Sequence, residues 1–453
     1  MTWYRFDALL TPAGIRSPAF MKVDERGFVA SVQSEAPAEA VSACSGFAVP
    51  GIPNLHSHAF QRALVGRAEA ARGSRDSFWT WRELMYASVE RLQPEDVRDI
   101  AAYLYAELLE AGYTSVGEFH YLHHQPTGEP YAAPAEMSLQ LLEAARSVGM
   151  GVSILPVLYQ TSGFDGAPAG AEQRRFVCSV QQLLRIADDV RAAIAGDPNA
   201  QLGIAPHSLR AVPAQSLTEL VAALEPTSPV HIHVAEQVRE VEECQAHFGA
   251  PPVEHLIATQ AVDARWCLVH ATHVTDAELV RLANTGACVA LCPTTEANLG
   301  DGFAPIRGLL DAGIPWGIGS DSQVGVDPSE ELRWLEYEQR LLRRERSVLA
   351  HGAQPSVAMR LLLDVGASAS RALGRCVGTL EPGMRADLIV LDDERSVLAG
   401  LAREQQLDAW VFTARRGAVR DVMVGGNWVV RSGIHPHRDA LTAAYLRALS
   451  RIR

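Results

Sequence analysis

Residues 46–58 read Gly46-Phe-Ala-Val-Pro-Gly-Ile-Pro-Asn-Leu-His-Ser-His58, a short apolar run that ends in two histidines. In an extended chain, residues two apart project to the same side, so both imidazoles face one way. The first strand is read at 46–52, and seven more runs of this kind follow, at 113–119, 151–158, 201–205, 229–234, 265–269, 287–291 and 315–318. Between most of them the apolar spacing is helical, as at 94–111 and 216–224. Strands alternating with helices predict an α/β fold, and eight of them a closed (β/α)8 TIM-like barrel rather than an open sheet. Barrel enzymes carry their chemistry at the C-terminal ends of the strands. Titratable side chains concentrate there: His56 and His58 after the first run, His231-Ile-His233-Val-Ala-Glu236 after the fifth, His270 after the sixth and Asp321 after the eighth.

The ends of the chain read differently. Residues 1–48 are short strand-like pieces with turns. Beyond 376, Gly378-Thr-Leu-Glu-Pro-Gly-Met-Arg-Ala-Asp-Leu-Ile-Val-Leu391 precedes Asp421-Val-Met-Val-Gly-Gly-Asn-Trp-Val-Val-Arg431, two apolar strands around a Gly-Gly-Asn turn. The expected organisation is a small β-sandwich-like module built from 1–48 and 376–453, flanking a barrel of 49–375.

Composition sets the outer limits. A chain of 453 residues has room for a large barrel and an attached module. With 48% hydrophobic and 21% charged residues it is an ordinary globular protein, which excludes disorder and small disulfide scaffolds. Forty Lys+Arg against 53 Asp+Glu, a formal charge of −13, argues against broad nucleic-acid binding but leaves a small anionic substrate open. No apolar stretch approaches the roughly 18 residues of a membrane span, and no signal-peptide pattern opens the chain. The seven cysteines form no CxxC pair and read as reduced thiols. A cytoplasmic protein is the expectation.

Imidazoles and a carboxylate on one rim suit zinc, which takes nitrogen and oxygen donors. Other residues on the same face have plainer readings. His231, one layer below His233, is expected to be a core histidine with a hydrogen-bond partner. His435-Pro-His437 is expected in a surface turn, and His120, His123 and His124 in a solvated loop. Cys288 and Cys292 are expected in the apolar core.

The rim resembles the amidohydrolase superfamily, in its branch of mononuclear-metal deaminases. The shared features are HxH after strand one, His-x-x-Glu after strand five, His after six, Asp after eight, and the C-terminal Thr379-Leu-Glu-Pro-Gly-Met-Arg-Ala-Asp-Leu-Ile-Val-Leu391. Within that superfamily the chain is most similar to the formimidoylglutamate deiminase family. The segments responsible are Pro53-Asn-Leu-His-Ser-His-Ala-Phe-Gln-Arg62, Glu118-Phe-His-Tyr-Leu-His123, Ala205-Pro-His-Ser-Leu-Arg210, His231-Ile-His-Val-Ala-Glu-Gln237 and Leu291-Cys-Pro-Thr-Thr-Glu-Ala-Asn-Leu-Gly-Asp301. The resemblance implies His56, His58, His233 and Asp321 as ligands of one Zn2+ per chain. It implies Glu236 and His270 as the acid–base pair, with Asp321 also handling a proton. Strand four ends without a lysine that would bridge a second metal.

The implied reaction is hydrolytic deamination of N-formimino-L-glutamate to N-formyl-L-glutamate and ammonia, in histidine degradation, by a homodimer. Such a small dicarboxylate needs guanidinium partners. Arg210 is the first candidate and Arg82 the second, with Tyr121, His207 and Gln61 as polar neighbours. The segment 66–92 is long enough to fold over the mouth. The alternative is another deaminase or chlorohydrolase of the superfamily, acting on a purine, pyrimidine or triazine ring; a non-catalytic barrel would be expected to have lost rim residues.

Overall fold

The computed structural model describes residues 1–70, 77–351, 354–414 and 417–452. Eight strand positions form a closed parallel barrel: Ile52–Ser57, Tyr113–His120, Gly151–Leu158, Ala200–Leu202 continued by Ala205–Pro206, Val230–Val234, Trp266–His270, Cys288–Leu291 and Trp316–Ile318. Strand eight closes on strand one through Ile318 and Asn54, and strand four on strand five through Ile204 and Val230. Apart from the first two residues of strand four, every residue in these strands is buried, as a sheet covered by helices outside and packed side chains inside requires. Helices return the chain between strands, and some of them stop on left-handed glycines: Gly112 (φ 111°) ends Pro94–Ala111 and Gly149 (φ 76°) ends Glu136–Val148.

The run at 46–52 proves to be two strands in two sheets. Val41–Pro50 belongs to the terminal module, and the barrel begins at Ile52. The break falls at Gly51, whose N–H donates to the Asp387 carbonyl and where a Cβ would lie 2.3 Å from the Thr114 side chain. Continuous apolarity masks a change of sheet when both sides of it are buried.

The second sheet has eight strands drawn from both termini. Its path runs Asn427–Val430, Val419–Val424, Leu388–Leu391, Val41–Pro50, Thr2–Thr11, Ala19–Val23 and Val29–Gln33, with Gly14–Arg16 beside Thr2–Thr11. The far edge bonds back to the other terminus: Val29 N–H donates to the Met384 carbonyl and Ala386 N–H to that of Gly27. The sheet thus curls around Phe6, Met21, Ala48, Leu388 and Met423. The last hairpin turns at Gly425 and Gly426 (φ 54° and 79°), the positive pair a two-residue turn needs.

The C-terminal segment carries more than strands. Helices Arg403–Phe412 and Arg438–Ile452 lie within it, and the second packs on Pro94–Ala111 of the barrel with Tyr445 stacked on Tyr103 at 4.2 Å. His435, just before the second helix, is buried and its Nε2 meets the Val148 carbonyl at 3.1 Å, while His437 stays exposed. The surface-turn reading therefore holds for His437 and fails for His435.

Candidate metal and catalytic centre

The rim residues of strands one, five and eight converge. His56 Nε2 lies 3.2 Å from His58 Nε2 and 3.0 Å from His233 Nε2. Asp321 Oδ1 is 3.4 Å from His56 Nε2 and 3.3 Å from His58 Nε2. One donor atom from each of the four residues falls within 4.8 Å of the others. The main chain fixes this arrangement, since Asp321 N–H donates to the His56 carbonyl (3.0 Å) and His58 N–H to that of Asp321 (3.1 Å). Non-glycine residues adopt positive φ at these strand ends: Ala235 (53°), His270 (70°), Ala271 (48°), Asp321 (41°) and Gln323 (66°). Each costs on the order of 1–3 kcal/mol, which the surrounding bonds must offset.

Protonation suits a cation. Burial holds His56 down to about 3, against the hydrogen bond to Asp321 that opposes it, and burial also lowers His58 and His233. For Asp321, burial pushes the carboxyl up, but the hydrogen bond from His56 and the charges of His56, His58 and His270 outweigh it, leaving the group below its usual range. His58 Nδ1 meets the Phe119 carbonyl at 2.7 Å, so that nitrogen carries the proton and Nε2 keeps its lone pair. Neutral imidazoles and an ionised carboxylate are the donor forms that metals bind.

Glu236 and His270 sit beside this set. His270 Nε2 is 3.7 Å from Glu236 Oε1 and 3.8 Å from Asp321 Oδ2, while its Nδ1 donates to Glu296 Oε1 at 3.2 Å. Burial tends to lower His270, but Glu236, Glu296 and Asp321 raise it to about 10. Burial raises Glu236 to about 7, with Asp321 and Glu240 adding to the rise and His270 and Arg210 opposing it. His270, Cys292 and Asp321 also come within 4.8 Å of one another. That trio shares Asp321 with the first set, its thiol is pushed well up by burial, and its imidazole is engaged by Glu296. It does not constitute an independent second seat.

A cavity opens on these residues. Gln61, Arg82, Tyr121, His207 and Arg210 all line it, with His58, His233, Glu236, His270 and Asp321. Gln61 Nε2 donates to the Tyr121 hydroxyl at 2.9 Å. His207 Nδ1 is 3.2 Å from Ser208 Oγ. Arg210 is buried, its Nε has no partner and its nearest carboxylate oxygen, on Glu240, is 3.9 Å away. Arg82 makes no hydrogen bond or ion pair among the described residues and rests against the rings of Trp79 (4.6 Å) and Tyr86 (5.6 Å). Of the segment 66–92, residues 71–76 lie outside the described residues; helix Phe78–Val89 covers the mouth, with Phe78, Trp81, Met85 and Tyr86 in the cavity wall.

His231 is buried and its Nε2 donates to the Ala372 carbonyl at 2.7 Å, outside the ligand cluster. Cys288 and Cys292 are buried together with Cys267. The solvated-loop reading of His120, His123 and His124 is wrong: all three are buried, His120 as the last residue of strand two and His123 and His124 under the chain at 173–177. The Arg175 carbonyl accepts the N–H of His123 and of His124, and His123 Nε2 and His124 Nε2 meet the carbonyls of Val157 and Val177.

Several supporting residues escaped sequence reasoning. Glu118, fully buried, accepts from Ser57 Oγ (2.7 Å), Ala59 N–H (2.7 Å) and the Tyr105 hydroxyl (3.1 Å), so it grips the residues on either side of His58. Glu240 accepts the N–H of Ala235 and Glu236. Asp301 accepts from Gln237 Nε2 and ties strand five's loop to that of strand seven. A buried carboxylate in an apolar stretch was the available signal for Glu118; nothing local marks the others.

The Amidohydrolase family model matches residues 47–429. A formimidoylglutamate deiminase of Pseudomonas aeruginosa is 46% identical over 443 residues, covering 98% of each chain. Among solved structures, an amidohydrolase from Brucella melitensis superposes with a TM-score of 0.94 at 42% identity over the whole of both chains. An adenosine deaminase from Xanthomonas campestris with bound zinc reaches 0.84 at 22% identity, over 100% of this chain and 98% of that one, and shows the fold alone. With the barrel, the rim and the family match in agreement, this chain belongs to the amidohydrolase family.

Proposed function

We propose that the protein is a metal-dependent iminohydrolase that converts N-formimino-L-glutamate to N-formyl-L-glutamate and ammonia, a step of histidine breakdown. The observation that carries this reading is the pairing, in one cavity, of the four-ligand cluster and Glu236–His270 with two guanidiniums that have donors to spare. The 46% identical relative bears that activity's name and supports it. Three imidazoles and one carboxylate fit a single Zn2+, which favours four nitrogen, oxygen or sulfur donors. A divalent ion held there supplies Lewis acidity, which makes water nucleophilic near neutral pH.

The chain's own residues supply the rest. The formimino group is an amidine, protonated and electrophilic at neutral pH, and the carboxylate of Glu236 complements its charge. As water adds to the formimino carbon, one of its protons passes to the Glu236 carboxylate. Glu236 then delivers that proton to the terminal nitrogen, the C–N bond to that nitrogen breaks as the remaining hydroxyl proton passes to Asp321, and ammonia leaves while the carbon keeps the new oxygen as a formyl group. His270, steered by Glu296 on Nδ1, points Nε2–H at the addition site and holds the developing oxygen. Arg210 and Arg82 take the two carboxylates, replacing the water those groups lose.

The direct test compares ammonia release from N-formimino-L-glutamate with release from guanine, cytosine and adenosine. N-formyl-L-glutamate should be the product, and a ring substrate turning over faster by orders of magnitude would defeat the reading. Arg210→Gln and Arg82→Gln should each raise KM about 10- to 100-fold, the worth of a charge-assisted hydrogen bond, with a smaller effect on kcat. An unchanged KM in both would remove the guanidiniums from the substrate site.

Glu118→Gln places an amide donor among three donors at the turn that carries His58. The fold should persist, and metal affinity should fall about 10- to 100-fold, as when a group supporting a ligand is lost. Competition with a chromophoric chelator measures this.

A further inference from the structure

Three guanidinium groups converge on one indole ring. Arg239 lies 4.5 Å, Arg82 4.6 Å and Arg210 6.0 Å from the centroid of Trp79. They come from separate elements: Arg82 from the helix Phe78–Val89 that also carries Trp79, Arg210 from the chain after strand four, and Arg239 from Val238–Phe248. Like charges brought together repel, and the three have unequal acidic partners. Arg239 has Glu243 at 2.6 Å, Arg210 has Glu240 at 3.9 Å, and Arg82 has no ion pair among the described residues. The negative face of the indole is the feature all three share.

Trp79 itself lines a second, outer cavity together with Arg82 and Arg239, whereas Arg82 and Arg210 also line the inner one. The ring therefore stands behind the two arginines that face the reaction centre. We propose that Trp79 is a positioning residue that gives the inner cavity its preference for a dianion: it holds the guanidiniums of Arg82 and Arg210 in fixed relation, so that each meets one carboxylate. A long, flexible arginine loses less rotamer freedom on binding when it is already placed. A ligand with one carboxylate uses one guanidinium and gains little from the pair being fixed. This inference rests on the dicarboxylate reading above.

The test is equilibrium binding of N-formyl-L-glutamate and of N-formylglycine to the metal-loaded protein, by calorimetry, for wild type, Trp79→Leu and Trp79→Phe. Trp79→Leu should weaken N-formyl-L-glutamate about tenfold, the scale of lost cation–π contacts, and N-formylglycine less than about threefold. Trp79→Phe, which restores an aromatic face, should recover most of the loss, and Trp79→Met, equally without an aromatic face, takes the place of Trp79→Leu if that variant does not fold. Equal losses for both ligands, or none, overturn the assignment. A wild type without preference for the dianion removes the dicarboxylate reading together with this inference. A wild type that prefers it, with variants that keep the full preference, removes only the role of Trp79.

Discussion

Glu236→Gln should lower kcat by about 10³- to 10⁴-fold while leaving metal content and KM close to wild type. The substitution keeps shape and removes only the capacity to take and give a proton. Glu236 is buried at the cavity wall, its own N–H held by Glu240 at 3.1 Å, and its carboxyl is raised to about 7 by burial. A group poised near neutrality can both accept a proton and return one within a turnover. Below its pKa the carboxyl is protonated and cannot accept, so kcat/KM should rise with pH along a limb at or below about 7, since a nearby dication favours the carboxylate. Steady-state kinetics across pH, with metal quantified on the same samples, checks both parts. A variant that retained more than about a tenth of the rate would take Glu236 out of proton transfer.

A larger effect is expected at Asp321. Asp321→Asn should reduce turnover by about 10⁴-fold or more and leave the protein with well under one metal per chain. The aspartate is the one negative charge in the four-residue cluster, and its Oδ2 also lies 3.8 Å from His270 Nε2. Asparagine supplies no charge to balance a dication. It does tolerate the left-handed backbone at this position (φ 41°) better than most residues, so the strand end should keep its shape. Circular dichroism should therefore be unchanged while metal analysis and ammonia release both collapse. Retained activity with a metal-poor protein would contradict the role given to this residue.

The clustering of the rim residues was legible in the sequence because they stand at or just past the ends of apolar strands, and the two-residue period gives His56 and His58 one direction. The partners that hold the rim were not. Glu118 grips residues 57 and 59 from 61 and 59 positions away, and Glu296 meets His270 across 26. Only the closed barrel brings such positions together. The same reason underlies the misreading of His123 and His124: polarity suggested solvent, but the covering segment at 173–177 belongs to the next connection, and His120 closes strand two itself. At His435 the partners are the Val148 carbonyl and Glu110 of helix Pro94–Ala111, both far away in sequence. The divided run at 46–52 shows the complementary case, in which apolar periodicity locates strands without saying which sheet receives them.

The most direct measurement is a titration of metal-free protein with Zn2+, following ammonia release from N-formimino-L-glutamate. One cation seated by His56, His58, His233 and Asp321 predicts a rate that starts near zero, climbs linearly and breaks sharply at one equivalent per chain. A full rate before any metal is added, or a break at two equivalents, would contradict it.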